Sequence, residues 1–122
     1  MELERLDFEM TVCQLADARG FDLSAGFYFL CRTDGELSLV CRTGDVPANA
    51  LRREDGWRGF RVRGALDFAL VGVLARISGA LAEAGIPLFA VSTYDTDYIL
   101  VKSRDFARAS DVLAAAGFGI AG

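Results

Sequence analysis

The sequence has no histidine and contains one lysine, Lys102. Histidine is the commonest general base and the commonest metal ligand in proteins. Its absence excludes Ser-His-Asp and Cys-His catalytic arrangements, and nothing near Lys102 points to a Ser-Lys pair. We therefore predict a protein that is not an enzyme and that needs neither a cofactor nor a metal ion.

Long apolar runs are also missing. The longest, residues 68–81, is interrupted by Arg76 and Ser78, whereas a membrane-spanning helix needs about 20 apolar residues. The N-terminus is charged and alternating, without the apolar block of a signal peptide. These features predict a cytoplasmic protein with no membrane partner.

Cysteines are few and odd in number, without a CxxC pair: Cys13, Cys31 and Cys41. The Asp34-Gly35 dipeptide predicts a two-residue hairpin turn. That turn places Cys31 opposite Ser38 and Cys41 opposite Tyr28. Cys31 and Cys41 then lie on different faces of the sheet, which argues against a disulfide and favours free thiols in a reducing compartment.

The charge balance is acidic, with a net charge of −4 and a pI near 4.7. Phosphate neutralisation dominates affinity for nucleic acids, so such a partner is not expected. Five arginines between residues 52 and 63 form a local basic stretch, but Glu54 and Asp55 interrupt it. A solvated strand edge explains this stretch better than a binding patch does.

Residues 1–56 predict a β-rich unit. Alternating apolar residues from Leu6 to Val12 indicate a half-buried strand. Residues 27–31 and 37–41 indicate the two strands of the Asp34-Gly35 hairpin. The polar stretch 44–56 favours a short helix and ends in a run typical of a linker, residues 52–56. This unit is interpreted as a degenerate copy of the one that follows it.

Residues 57–122 have the order β-α-β-β-α-β. The first helix shows apolar residues at three- and four-residue steps up to Leu81. Residues 86–92 are apolar on both faces, which favours a central strand, and residues 98–101 predict a buried one. A second helix over 105–116 precedes a last short strand. This order predicts an α+β, ferredoxin-like sandwich with an antiparallel sheet and both helices on one face.

Two segments of this second half carry a resemblance to a known family: residues 61–74 and residues 85–102, the latter containing Ser-Thr-Tyr-Asp-Thr-Asp-Tyr-Ile-Leu-Val. The match covers residues 57–116. This part of the chain resembles the small bacterial ACT-domain proteins of the same branch as the eukaryotic cytosolic arginine sensor. The resemblance implies an ACT domain at 57–122 after a degenerate ACT-like unit at 1–56. It also implies a non-catalytic regulatory module that binds an amino acid, where two ACT units pack together.

In that sensor the ligand is contacted by the turn after the first strand and by the polar turn between the middle strands. The matching positions here are Arg63, Gly64, Asp67 and Phe68 in the one turn, and Thr93, Tyr94, Asp95 and Asp97 in the other. Helix N-termini attract anions, so the first turn suits a ligand carboxylate. Asp95 and Asp97 suit a ligand ammonium.

Other interpretations of these residues stay open. Asp67 is also placed to cap the first helix, and Asp95 and Asp97 to hold their own turn. The chain lacks the doubled architecture of the sensor, so a complete pocket would need a second copy, which predicts a homodimer. An interaction or dimerisation module with a vestigial ligand site is the alternative function. A regulated protein is a further possible partner.

Overall fold

The computed structural model of the chain describes residues 1–63 and 72–122. The strands are β1 (Glu2–Arg5), β2 (Met10–Leu15), β3 (Tyr28–Arg32), β4 (Leu37–Arg42), β5 (Ala50–Val62), β6 (Leu88–Ser92), β7 (Asp97–Lys102) and β8 (Gly119–Ala121). The helices are α1 (Val73–Glu83) and α2 (Phe106–Ala115), with short 3-10 turns at Thr43–Asp45 and Ser103–Asp105. The mixed α+β class predicted from the sequence is confirmed.

Two compact units divide the chain: residues 8–57 form the inserted unit, and residues 1–7 with 58–122 form the helical unit. We had assigned the N-terminal residues to the first unit, yet β1 belongs to the sheet of the helical one. β5 runs through both units. Its first half pairs with β2 and its second half with β1 and β7.

In the helical unit the strand order is β8-β1-β5-β7-β6. Without β1 the order is β8-β5-β7-β6, which is that of a ferredoxin-like sheet. β1 pairs antiparallel with β5 but parallel with β8, so the expected purely antiparallel sheet contains one parallel pair. β6 pairs with β7 alone among the described strands, so our expectation of a central strand there was wrong.

Both helices pack on one face of this sheet. Their buried faces are Val73, Ile77 and Leu81 of α1 and Phe106, Ala109 and Leu113 of α2. They share one apolar core with alternate residues of the strands, namely Leu3, Phe60, Val62, Ile99 and Val101. Because side chains alternate across a strand, the residues between these lie on the opposite face.

The inserted unit repeats this arrangement without the helices. Its strands lie in the order β3-β4-β2-β5, which is again the ferredoxin-like order. The predicted hairpin register is confirmed, because Cys31 pairs with Ser38 and Tyr28 with Cys41. Residues 52–56, which we expected to be a linker, lie in the first half of β5, which pairs with β2.

A constant spacing relates the two hairpins. β6 and β7 begin at residues 88 and 97, each 60 positions after the first residues of β3 and β4, at 28 and 37. The 3-10 turns follow at the same spacing, at 43 and 103. The two units differ in backbone conformation only after these 3-10 turns. Phe106 has helical dihedrals, whereas Val46 is extended with ψ 124°, because the proline that follows Val46 disfavours a helical conformation there.

Candidate functional site

The β6–β7 turn is tied to the end of β5 by a buried hydrogen bond. Thr96 Oγ1 donates to the Val62 carbonyl over 2.7 Å, and Thr96 is only 8% exposed. Val62 is the last residue of β5, immediately before Arg63. The structure therefore brings the second predicted contact segment, Thr93–Asp97, to the point where the first one begins.

Within the turn, Thr93 closes the hairpin. Its N–H donates to the Thr96 carbonyl over 2.8 Å, and its hydroxyl lies 3.0 Å from the same oxygen. The Thr96 N–H points back to the Thr93 hydroxyl over 3.4 Å. The polar atoms at the base of the turn therefore satisfy one another, and its outer part faces solvent.

The solvent-facing part carries the other predicted contact residues. Tyr94 is 85% exposed, and Asp95 is exposed as well. Asp97 opens β7, is half-buried and pairs with Ser92 across the hairpin. Asp95 and Asp97 thus place two carboxylates within three residues of this hairpin, and such negative charge suits an ammonium group or another cation.

Arg63 directly follows Val62, the residue whose carbonyl accepts the Thr96 hydrogen bond. Its N–H donates to the Glu2 carbonyl over 3.0 Å, and its guanidinium lies 3.1 Å from the Glu2 carboxylate. Both side chains are about half exposed, at 50% and 53%, so the pair contributes little to stability.

Three of the predicted contact residues, Gly64, Asp67 and Phe68, lie outside the described residues, as does the capping role expected of Asp67. The description resumes at Gly72, which has a left-handed φ of 88° and precedes α1. From there to its C-terminus, α1 follows the expected pattern of buried residues.

A second polar group lies on the face of the sheet opposite the helices. Arg61 Nε donates to the Tyr98 hydroxyl over 3.0 Å, and Arg61 also bonds Glu4 over 3.2 Å. Desolvation opposes the charge of Arg61, but the bonds to Tyr98 and Glu4 outweigh it and raise the pKa of the guanidinium. Tyr98 and Glu4 thus hold the Arg61 guanidinium on this face of the sheet.

Thr96 and Glu2 were missed by the sequence analysis. Thr96 is positioned by its bond to Val62, which is 34 residues away along the chain, and Glu2 by the pairing of β1 with β5. The only local signal for Thr96 was a polar residue directly before a buried strand.

In residues 1–63 and 72–122, no cluster of three or more His, Cys, Asp or Glu residues is arranged to hold a metal ion. No helix in these ranges is long and apolar enough to cross a membrane.

A protein-family model described as the ACT domain matches residues 52–115. A solved structure of a protein from Agobacterium tumefaciens is 32% identical, with a TM-score of 0.85, over 98% of this chain and 90% of that one. The chain belongs to the ACT-domain family.

Two more distant structures share the fold of this ACT-domain chain. One is a protein of unknown function from Vibrio cholerae, 21% identical, with a TM-score of 0.73 over 94% of this chain and 88% of that one. The other is from aspartokinase alpha and beta subunits, 16% identical, with a TM-score of 0.65 over 95% and 97%. No curated protein matches the chain. ACT domains are regulatory domains that bind small molecules, and this defines the broad class of the protein.

Proposed function

We propose that this ACT-domain chain binds a free amino acid and thereby regulates a partner protein, without catalysing a reaction. The proposed site is the corner between Arg63, Gly64, Asp67 and Phe68 on one side and Thr93, Tyr94, Asp95 and Asp97 on the other. The observation that supports this proposal is the Thr96–Val62 hydrogen bond, because it holds the β6–β7 turn at the end of β5, next to Arg63.

The charged residues of the proposed site that the structure describes support an amino acid as the ligand. The α-carbon of a free amino acid carries a cation and an anion. Asp95 and Asp97 supply negative charge for the ammonium, and Arg63 supplies a guanidinium for the carboxylate. The absence of histidine supports a binding role over a catalytic one.

A thermal-shift screen with the twenty amino acids tests this proposal. A ligand at about 100 times its dissociation constant stabilises the folded state by about 2.7 kcal/mol. Asp97→Asn should abolish the shift, because it removes a carboxylate charge and changes the size of the side chain little. Asp34→Asn is the matched control, since Asp34 lies in the corresponding turn of the inserted unit. If no amino acid at millimolar concentration raises the melting temperature, the proposed ligand class is wrong.

We also propose that the chain forms a homodimer, as its likeness to the tandem units of the arginine-sensor branch suggests. β6 pairs with β7 alone among the described strands, so its second edge can meet a copy of the chain. The alternative function, a dimerisation module with a vestigial site, predicts the same dimer. Light scattering with and without ligand separates the two, because only a working site makes dimer stability depend on the amino acid and on Asp97.

Two further parts of the proposal concern chain organisation and compartment. The shared strand order and the spacing of 60 residues between the hairpins support a degenerate ACT-like unit in the first half. The three free cysteines, Cys13, Cys31 and Cys41, support a reducing compartment such as the cytoplasm. Fractionation of the producing cells tests the location directly.

A further inference from the structure

The inserted unit carries a groove on the face of its sheet opposite its apolar core. The core face holds Cys13, Leu15 and Leu39. Gln14 lies between Cys13 and Leu15 on β2, so its side chain is on the other face. There the groove has a volume of about 220 Å³, and its lining includes Val12, Gln14, Glu36, Ser38, Arg52 and Glu54.

Three of these residues form a row across the sheet. Gln14 on β2 pairs with Ser38 on β4 and with Arg52 on β5. The equivalent row of the helical unit is Tyr98, Arg61 and Glu4, because Tyr98 lies 60 positions after Ser38. In that row the cation is held by its own neighbours, since Arg61 bonds both Tyr98 and Glu4.

The cation of the inserted unit's row, Arg52, is not held in this way. Across the part of the chain that the structure describes, neither the Arg52 guanidinium nor the Gln14 amide has a hydrogen-bond or ion-pair partner. The adjacent Arg53 is different, because its guanidinium bonds Asp55 over 3.0 Å. Among the described residues, no carboxylate bonds the Arg52 guanidinium as Glu4 bonds that of Arg61. Glu54 lies two positions along β5 on the same face, and it lines the groove with Arg52.

Negative charge is present on the other side of the groove. The Ser38 hydroxyl donates to Glu36 over 2.7 Å, which orients that carboxylate and leaves its second oxygen available. Two strand spacings, roughly 10 Å in total, separate β4 from β5. Glu36 and Arg52 therefore lie on opposite sides of the groove, and Val12 and Glu54 line it as well.

We propose that this groove is a second ligand site, which binds a small zwitterion through its carboxylate and its ammonium. The carboxylate takes the place beside Arg52 and the Gln14 amide. The ammonium lies toward Glu36, and the aliphatic part contacts Val12. A simple carboxylate has no ammonium group to pair with Glu36, so the site should bind a zwitterion more tightly than a simple anion. The site is separate from the proposed corner and needs none of its residues.

Titration of ¹⁵N-labelled protein with L-alanine, acetate and methylammonium tests the proposal by NMR. L-Alanine is expected to give saturable shifts at the Gln14 side-chain amide and at the backbone amides of Gln14, Ser38 and Arg52. Each single-charge probe should bind about tenfold more weakly or worse, because one charge-assisted contact is lost.

Arg52→Gln should weaken L-alanine binding by about tenfold or more for the same reason. Arg32→Gln is the matched control. Arg32 is also exposed, but it pairs with the core residue Leu37 on the other face of the same sheet. The proposal is overturned if L-alanine gives no saturable shift in the groove, or if Arg52→Gln binds as the unsubstituted protein does.

The outcome is independent of the first proposal. Ligand at the corner moves signals from Thr93 to Asp97, and ligand in the groove moves signals from Gln14, Ser38 and Arg52. Asp97→Asn should leave binding in the groove unchanged. The experiments can therefore refute either proposed site without refuting the other.

Discussion

The hydroxyl of Thr96 donates a 2.7 Å hydrogen bond to the carbonyl of Val62, and both residues are buried. Val62 ends β5 and Thr96 directly precedes β7. This one bond therefore joins the β6–β7 turn to a strand from another part of the chain. We expect Thr96→Val to destabilise the fold by about 1–3 kcal/mol, because it leaves a buried carbonyl without a donor.

Urea unfolding measures this loss, and Thr96→Ser is its control because it retains the hydroxyl. Equal stabilities of the valine and serine variants would show that the bond is unimportant. The same pair of variants bears on the proposed site. If the bond holds the two turns together, the valine variant should also weaken amino-acid binding, whereas serine should not.

Leu3 connects the N-terminus to a core made of residues more than fifty positions away. It is fully buried among the residues of α1, α2 and β5. Leu3→Ala should cost about 2–5 kcal/mol in the free energy of unfolding, as large-to-small changes in a core do. Met1→Ala is the control, because Met1 is 48% exposed, and its effect should stay within about 0.5 kcal/mol. Similar effects of the two changes would argue against β1 as part of this sheet.

The Glu4–Arg61 pair should contribute only modestly to stability. Its side chains are about one third exposed, at 35% and 34%, so water screens the interaction. A double-mutant cycle with Glu4→Gln and Arg61→Gln is expected to give a coupling energy of about 0.2–1 kcal/mol. The coupling should fall in about 1 M salt, where the Debye length is near 3 Å. A larger coupling that salt does not change would contradict this prediction.

The three thiols should differ in reactivity. Cys31 is exposed, whereas Cys13 and Cys41 are buried. Burial also raises the pKa of Cys13, and it raises that of Cys41 to about 12, so little of the reactive thiolate forms there at neutral pH. Iodoacetamide at pH 8 should modify one cysteine rapidly in the native protein and three after unfolding. Mass spectrometry should assign the rapid site to Cys31, and Cys31→Ser should remove it.

The raised pKa of Cys41 also predicts a pH dependence of stability. The folded state favours the neutral thiol, since burial disfavours its charged form. The resulting stabilisation is fully present below the ordinary pKa of 9.0 and is lost as pH rises from there toward about 12. Val101 occupies the corresponding position of the helical unit, so Cys41→Val is the informative variant. Its free energy of unfolding should fall less steeply over this pH range, and an unchanged slope would contradict the assignment.

Local signals predicted the hairpins and the helical patterns well. The register that pairs Cys31 with Ser38 follows from a two-residue turn at Asp34-Gly35, and turn chemistry acts over only a few residues. Strand positions in the sheet were less predictable. β6 is apolar on both faces yet lies at an edge, because side-chain pattern reports the burial of faces and carries no information on hydrogen bonding at edges.

The charged stretch from Arg52 to Gly56 shows the same limit. Its composition is typical of a linker, yet it forms a strand because β2 provides a partner for its backbone. The sequence led us to interpret the first half as a degenerate copy of the second. The structure adds a shared strand order and a constant spacing between the hairpins. Pro47 follows Val46, which is extended where Phe106 of the other unit is helical.

The sequence by itself determined the class of this protein. Apolar periodicity specified a helix-and-strand order that suits one ferredoxin-like unit, and the missing histidine removed the usual catalytic arrangements. Only the tertiary structure decided that β1 joins the distant sheet, that Thr96 holds the β6–β7 turn against β5, and that Arg52 faces an open groove. Each of these depends on contacts between residues far apart in the chain, and local pattern does not specify them.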